Sequence, residues 1–184
     1  MKRYIWPGLC IILLCINVWM GITANNLRKF PFSGKMYAQK GKETISLPYE
    51  DSLLTLVVYF SYRSCQECMK ESEWWNKLFM DLPRNELSVV GIIPGNEEIE
   101  GIKRRYDILF PIFYDNDLLI ARSLLISKTP LRIIIDKRGR ILYRAPASPV
   151  QSTHEDFYFE IIEILRKIKE EEALRQGGKP INTY

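Results

Sequence analysis

Short, nearly continuous apolar runs along the chain predict strands that are covered on both faces. Residues 53–60 and 87–93 have the composition of central strands. Further strands are predicted at residues 36–47 (a strand or a hairpin that Pro48 ends), 110–114, 131–136 and 141–144. Residues 137–140 read as the hairpin turn between the last two strands.

Apolar residues at helical spacing predict a helix after most of these strands, at residues 65–82, 97–106, 117–126 and 152–172. Asp117 is expected to cap or charge the first turn of its helix. The segment 152–155, Ser-Thr-His-Glu, fits a capping box, which places His154 at the surface. Strands alternating with helices, followed by a hairpin and a final helix, predict an α/β sandwich with a mixed sheet.

The N-terminus carries the pattern of a targeting segment. Lys2 and Arg3 precede an apolar stretch at residues 4–22, which is nearer to the length of a spanning helix than to that of a secretory core. Residues 1–24 are therefore interpreted as an uncleaved signal anchor, with a cleaved signal peptide as the close alternative and a lipid anchor as a weaker one. The basic flank favours an extracytoplasmic position for everything that follows. That remainder divides into a linker at 25–35, one domain at 36–175 and a polar tail at 176–184.

Charge excludes one class of function, and the cysteines indicate another. The 184 residues carry a net charge of +4 without a basic stripe interleaved with aromatic residues, so nucleic-acid binding is not expected. Of the four cysteines, Cys10 and Cys15 lie in the apolar segment and are interpreted as small hydrophobic residues. The exported part keeps only Cys65 and Cys68. A bridge between them would close almost no loop and add little stability, so the pair predicts chemistry rather than a structural disulfide.

The spacing of Cys65 and Cys68 after a strand and at the start of a helix is typical of a redox pair. Cys65 is expected to be the attacking thiolate, because unpaired N–H groups and the helix dipole favour negative charge at a helix N-terminus. Cys68, one turn deeper, would resolve the mixed disulfide. Arg63 could lower the pKa of Cys65, and a solvated loop cation is an equally good interpretation of Arg63. Glu67 would act in the opposite direction if it points inward.

The order of elements, the segment 64–68 (Ser-Cys-Gln-Glu-Cys) and Thr129-Pro130 before the hairpin resemble the thioredoxin fold. The inserted segment 95–126 and the segment 127–144, SKTPLRIIIDKRGRILYR, resemble the membrane-tethered, TlpA/ResA-like thioredoxins and the wider redoxin group, over roughly residues 36–172. The resemblance implies a thioredoxin-like three-layer sandwich with a central mixed sheet, preceded here by one N-terminal apolar helix.

The same resemblance implies a bacterial thiol-disulfide oxidoreductase of cell redox homeostasis, whose only redox group is the Cys65–Cys68 disulfide, with no metal and no other cofactor. Pro130 would be cis and face the cysteines, and Thr129 and Pro130 would offer a backbone edge to an extended substrate. Partners would be protein thiols or disulfides and a membrane or extracytoplasmic electron donor. A monomer is expected.

Three departures from the family pattern are visible. Ser64 and Glu67 stand where the family usually has Trp and Pro, and Tyr59 stands where many thioredoxins carry a buried acid. These substitutions affect the expected reduction potential and the route of proton transfer, and they leave the thiol pair intact.

Three other functions remain open from the residues alone. A thioredoxin-fold peroxidase would want Thr or Ser three residues before its reactive cysteine, where this chain has Tyr62. A copper(I) carrier could use both cysteines with the distant His154, although such carriers space their cysteines one residue wider. A non-catalytic, partner-binding domain is hard to reconcile with the retained Cys65–Cys68 and Thr129-Pro130.

Overall fold

The computed structural model describes residues 36–40, 43–95 and 97–175. Within them, seven strands form one mixed sheet in the order β2-β1-β5-β4-β3-β6-β7. The strands are β1 Met36–Lys40, β2 Glu43–Leu47, β3 Leu54–Tyr59, β4 Leu87–Pro94, β5 Ile112–Asp115, β6 Leu131–Asp136 and β7 Ile141–Pro146. The helices are α1 Gln66–Met69, α2 Ser72–Asp81, α3 Ile99–Tyr106, α4 Leu119–Ser123 and α5 Ser152–Arg175.

Strand β3 lies in the middle of the central pairing, parallel to β4 and antiparallel to β6. Strands β4 and β5 are parallel, and β1–β2 and β6–β7 form antiparallel hairpins. Every residue of β3 and of β6 is buried. Because neighbouring residues of a strand face opposite sides of the sheet, both faces are covered, as the continuous apolar runs predict.

The core joins the sheet to α2 and α5. The buried apolar residues Trp75 and Leu78 of α2 and Phe157, Ile161 and Leu165 of α5 all belong to it. The neighbours of β4 pack closely around its Gly91, where an added Cβ atom would stand 2.9 Å from the Phe60 ring and 3.1 Å from the Ile112 side chain. Strand boundaries agree with the predicted ones to within about two residues, which is the usual disagreement between ways of assigning ends.

The single helix predicted at 65–82 is instead two helices, α1 and α2. At their junction the Glu71 N–H reaches the Cys68 carbonyl at 3.4 Å, and the Trp74 N–H reaches the Glu71 carbonyl at 3.0 Å. These bonds span three residues instead of four, so the backbone tightens locally. The Glu71 side chain is fully buried at this point.

The predicted role of Asp117 is wrong. Residues Asn116–Leu118 form a 3₁₀ turn in which Asp117 has φ 59°, and α4 begins only at Leu119. The buried Asp115 supplies the cap instead, because its carboxylate accepts the N–H groups of Ile120 and Ala121, both at 2.8 Å. The chain turns sharply after β5, and this turn brings the earlier aspartate to the open N–H groups.

The predicted surface position of His154 is also wrong. Helix α5 begins at Ser152, so Ser152 lies inside the helix rather than before it, and the Thr153 hydroxyl donates to the Val150 carbonyl at 2.7 Å. His154 is buried, with its Nε2 2.8 Å from the Ser148 carbonyl oxygen. The loop between β7 and α5 therefore contacts the first turn of the helix through Ser148.

The predicted N-terminal segments, 1–24 and 25–35, and the polar tail at 176–184 lie outside the described residues. Within the described part, the helices are all too short or too polar to span a bilayer.

Candidate functional site

Cys65 and Cys68 lie at the first turn of α1, directly after a tight turn that follows β3. The turn is closed by the Ser64 N–H on the Ser61 carbonyl, at 2.9 Å, and by the Ser61 N–H on the Ser64 hydroxyl, also at 2.9 Å. Cys65 is the N-cap residue of α1, and its Sγ accepts the Cys68 backbone N–H at 3.4 Å. Both cysteines are free thiols; Cys65 is exposed and Cys68 is buried.

The two thiols have pKa values shifted in opposite directions. The pKa of Cys65 is lowered, first by the hydrogen bond from the Cys68 side chain and then by the Cys68 backbone N–H, both of which stabilise a thiolate. The pKa of Cys68 is raised to about 11, first by burial and then by its interaction with Cys65. The exposed sulfur is therefore the better nucleophile, and the buried sulfur holds its proton.

The structure places both residues proposed to modulate Cys65 at the surface. Glu67 pairs with Lys70 at 2.6 Å, and its charge raises the pKa of Cys65 weakly against the hydrogen bonds that lower it. Arg63 acts on Glu97, where its charge opposes the rise in pKa that burial causes. Hydrogen bonds from Cys68 thus account for the shift at Cys65, and a direct effect of Arg63 on Cys65 stays a prediction.

Helix α3 anchors the loop that leads to Cys65. The Tyr62 N–H donates to Glu97 Oε2 at 2.7 Å, and the Tyr106 hydroxyl donates to the Tyr62 carbonyl at 3.4 Å. The Arg105 guanidinium stacks on the Tyr62 ring, 4.4 Å from its centroid. The loop is thereby held from one side by two hydrogen bonds between side chains and the Tyr62 backbone, and by one cation–π contact.

The Thr129-Pro130 peptide bond is cis, as the resemblance implies. Pro130 is buried and Thr129 half-buried. Tyr59 at the end of β3 pairs with Leu131 at the start of β6, so Pro130 stands beside Phe60, at the same end of β3 as the turn to Cys65. The two motifs that are 61 residues apart in sequence, from Cys68 to Thr129, thus lie at the same end of the central strands.

Sequence reasoning missed a buried ion pair next to the thiols. Arg132 Nη1 lies 2.6 Å from Glu71 Oε1, with the two side chains 6% and 0% exposed. The signal that could have found it is an arginine inside an otherwise apolar strand, since a buried arginine requires a partner. The identity of that partner could not be read from the chain, because it lies 61 residues away.

Tyr59, which stands where many thioredoxins carry a buried acid, donates its hydroxyl to Asp115 Oδ2 at 3.1 Å. Burial and the Asp115 charge raise the pKa of Tyr59 above its ordinary value. The acid in this region comes from β5 instead of β3, and its oxygens are occupied by Tyr59 and by the N-terminus of α4.

A groove of about 660 Å³ runs beside the thiol helix, and Glu67, Lys70, Trp74, Leu109 and His154 are among the residues that line it. Its walls mix charged, aromatic and aliphatic side chains. Among the described residues there is no cluster of three or more His, Cys, Asp or Glu side chains suited to a metal ion. The Nε2 atom of His154 is already engaged by Ser148.

A mixed sheet, a redox-type cysteine pair at a helix N-terminus and a cis proline at the same end of the central strands define the thioredoxin fold. Comparison with solved structures agrees. The chain is similar to a candidate thiol:disulfide interchange protein DsbE from Chlorobium tepidum, with a TM-score of 0.62 and 14% identity, covering 74% of this chain and 97% of that one. It is also similar to StoA from Bacillus subtilis, with a TM-score of 0.54 and 18% identity, covering 68% and 98%.

A third similar structure is a secreted disulfide oxidoreductase of Mycobacterium tuberculosis homologous to E. coli DsbE, with a TM-score of 0.56 and 10% identity, covering 71% of this chain and 96% of that one. At these identities the likeness establishes the fold. No protein-family model and no curated protein sequence matches the chain.

Proposed function

We propose that the protein is an extracytoplasmic thiol-disulfide oxidoreductase that exchanges disulfides with partner proteins through Cys65 and Cys68. The observation that carries the proposal is the asymmetry of the two thiols. Cys65 is exposed with a lowered pKa, and Cys68 is buried with its pKa raised to about 11. An exposed nucleophile backed by a buried thiol one turn away is the arrangement that thiol-disulfide exchange requires.

Exchange would proceed in two balanced steps. The Cys65 thiolate attacks one sulfur of a partner disulfide, which forms a mixed disulfide and releases the other partner sulfur as a thiolate that takes a proton. Cys68 then loses its proton and attacks Cys65 Sγ, which forms the Cys65–Cys68 disulfide and releases the second partner thiolate. The partner gains two electrons that the two cysteines lose. A membrane or extracytoplasmic electron donor would return them, and the reverse sequence would oxidise a dithiol partner.

The surroundings of the pair support a protein substrate. Thr129 is half-buried just before β6, where an extended segment could pair with the chain by strand addition, and the next carbonyl, that of Pro130, accepts the Ala147 N–H at 2.9 Å. The groove beside α1 offers room for neighbouring side chains. The reacting sulfur of the partner would then lie between this edge and Cys65.

The proposal is tested by insulin reduction with dithiothreitol as the electron source. The full chain should accelerate reduction, and Cys65→Ser should lower the rate to the uncatalysed level, because the attacking thiolate is lost. A double substitution of Cys10 and Cys15 to alanine is the matched control and should leave the rate unchanged. Full activity of the Cys65→Ser chain would refute the assignment.

The extracytoplasmic location is tested separately, in cells from which any outer barrier has been removed. Lys2 and Arg3 before the apolar run motivate the expectation that the domain lies outside, held by the N-terminal segment. Protease added to such cells should digest the redox domain while a cytosolic marker stays intact. Protection of the domain until the membrane is lysed would contradict the proposed location.

A further inference from the structure

The Glu71–Arg132 pair joins the junction of α1 and α2 to strand β6. Other ion pairs among the described residues have at least one side chain well exposed to solvent, whereas both members of this one are buried. Each charge is therefore acceptable in the interior only while the other is present.

Further bonds fix the geometry of both partners. Glu71 also accepts the Trp75 indole N–H at 3.2 Å and the Ser148 backbone N–H at 3.1 Å. Arg132 donates from Nη2 to the Pro146 carbonyl at 2.8 Å, and its guanidinium lies 4.1 Å from the centroid of the Phe157 ring. The pair thus ties α2, the β6–β7 hairpin and α5 to one point.

The Glu71–Arg132 pair is close in sequence to both parts of the thiol site, the cysteine pair and Thr129-Pro130. Glu71 is three residues after Cys68 and bonds the Cys68 carbonyl through its own N–H, and Arg132 is two residues after Pro130. The charge of Glu71 is among the causes that raise the pKa of Cys68. Because Arg132 lies 2.6 Å from Glu71, its positive charge opposes the effect of the Glu71 carboxylate on its surroundings.

We propose that Arg132 is a positioning residue of the thiol site, which holds the Glu71 carboxylate in place next to Cys68 and thereby sets how readily Cys68 attacks the mixed disulfide. The inference rests on the proposed function. Other titratable groups around the cluster are Cys65, which faces Cys68, and Tyr143, whose ring lies 5.6 Å from the Arg132 guanidinium. His154 is linked to the cluster by the hydrogen bond between its Nε2 and the Ser148 carbonyl, and Tyr143 has its pKa raised by burial and by the charge of Glu160.

Opposite effects are expected from removing the two charges. Without Arg132, the carboxylate of Glu71 acts unopposed and disfavours a thiolate at Cys68. Without the charge of Glu71, the guanidinium acts unopposed and favours that thiolate. Removing both charges cancels the two effects. A pair that served only to hold the fold together would not shift the reactivity of Cys68 in two directions.

The test measures iodoacetamide alkylation of Cys68 against pH in the full chain. Cys10→Ala, Cys15→Ala and Cys65→Ser leave Cys68 as the single thiol, and this chain is the parent for Glu71→Gln, Arg132→Met, Arg132→Lys and the double Glu71→Gln/Arg132→Met. At neutral pH we expect the rate to rise about tenfold in Glu71→Gln and to fall about tenfold in Arg132→Met. The double variant and Arg132→Lys should stay within about twofold of the parent.

Shifts of equal sign in the two single variants, no shift in either, or a double variant that does not return to the parent would overturn the proposal. If Arg132→Met does not fold, the alkylation rates of Glu71→Gln and of the double variant are compared instead. Equal rates in these two variants would overturn the proposal. Insulin reduction by the chain with both site cysteines is measured in parallel. Absence of insulin reduction would reject the proposed function, and the alkylation rates would still test the role of Arg132.

Discussion

At the scale of single residues, the site depends on the interaction between two sulfur atoms. Cys65 has a lowered pKa because the Cys68 thiol and backbone N–H both donate to its sulfur, while Cys68 keeps its proton because it is buried. The redox motif could be predicted from the spacing of the cysteines alone. The origin of the shift could be predicted in part, because the Cys68 backbone N–H is one of the unpaired groups expected at a helix N-terminus, whereas the hydrogen bond from the Cys68 side chain was not foreseen.

The source of the lowered pKa of Cys65 can be tested by removing the Cys68 donor. In a chain with Cys10→Ala and Cys15→Ala, Cys68→Ala should raise the pKa of Cys65, because the side-chain hydrogen bond to its thiolate is lost. Alkylation of Cys65 should then slow at pH 7 and keep its rate at pH 10, where the thiol is ionised in both chains.

Cys68→Ser is the matched control, since its hydroxyl can still donate to Cys65 Sγ. The pKa of Cys65 in Cys68→Ser should therefore lie below that in Cys68→Ala. Equal pH profiles for the two variants would show that the side-chain hydrogen bond does not lower the pKa of Cys65.

At the scale of elements, continuous apolar runs predicted the strands well, because a strand buried on both faces needs apolar residues throughout. Helix α5 was predicted because apolar residues recur along it at helical spacing, and the structure buries Phe157, Ile161 and Leu165 among them. Local irregularities were not predictable in this way. The junction at Glu71 and the cap from Asp115 depend on partners that only the folded chain brings together.

The assignment of the α4 cap predicts unequal effects of three substitutions on the free energy of unfolding. Asp115→Ala should lower it by about 2–4 kcal/mol, because the N–H groups of Ile120 and Ala121 and the Tyr59 hydroxyl all lose a buried acceptor. Tyr59→Phe removes only one of these bonds and should cost about 1 kcal/mol. Urea unfolding of the full chain measures both.

Asp117→Asn serves as the control, because asparagine tolerates the positive φ of that position and Asp117 does not cap the helix. Its effect should be within about 0.5 kcal/mol. A loss at Asp117 equal to that at Asp115 would favour the cap predicted from the sequence over the observed one.

At the scale of the whole molecule, the order of elements determined which distant motifs could meet. Strand β3 leads to Cys65 at one end, and β6 begins at that same end directly after Pro130, because the two strands are antiparallel and fully paired. Resemblance to a family implied that Thr129-Pro130 faces the cysteines, and the structure places both motifs at the same end of β3 and β6. The Glu71–Arg132 pair, in contrast, follows from no general property of the fold. The sequence signalled only that Arg132 needs a buried partner, and the identity of that partner, Glu71, required the folded chain.

The central claim is that the Cys65 sulfur attacks the partner disulfide and forms the mixed disulfide. Trapping this intermediate tests the claim most directly. The full chain with Cys68→Ser, Cys10→Ala and Cys15→Ala is mixed with a disulfide-bonded substrate protein, quenched with acid and mapped by mass spectrometry. The account predicts a stable mixed disulfide at Cys65, because no resolving thiol remains. The matching chain with Cys65→Ser should form far less adduct at Cys68, which is buried and protonated. Adducts formed equally well at Cys68, or none at Cys65, would contradict the account.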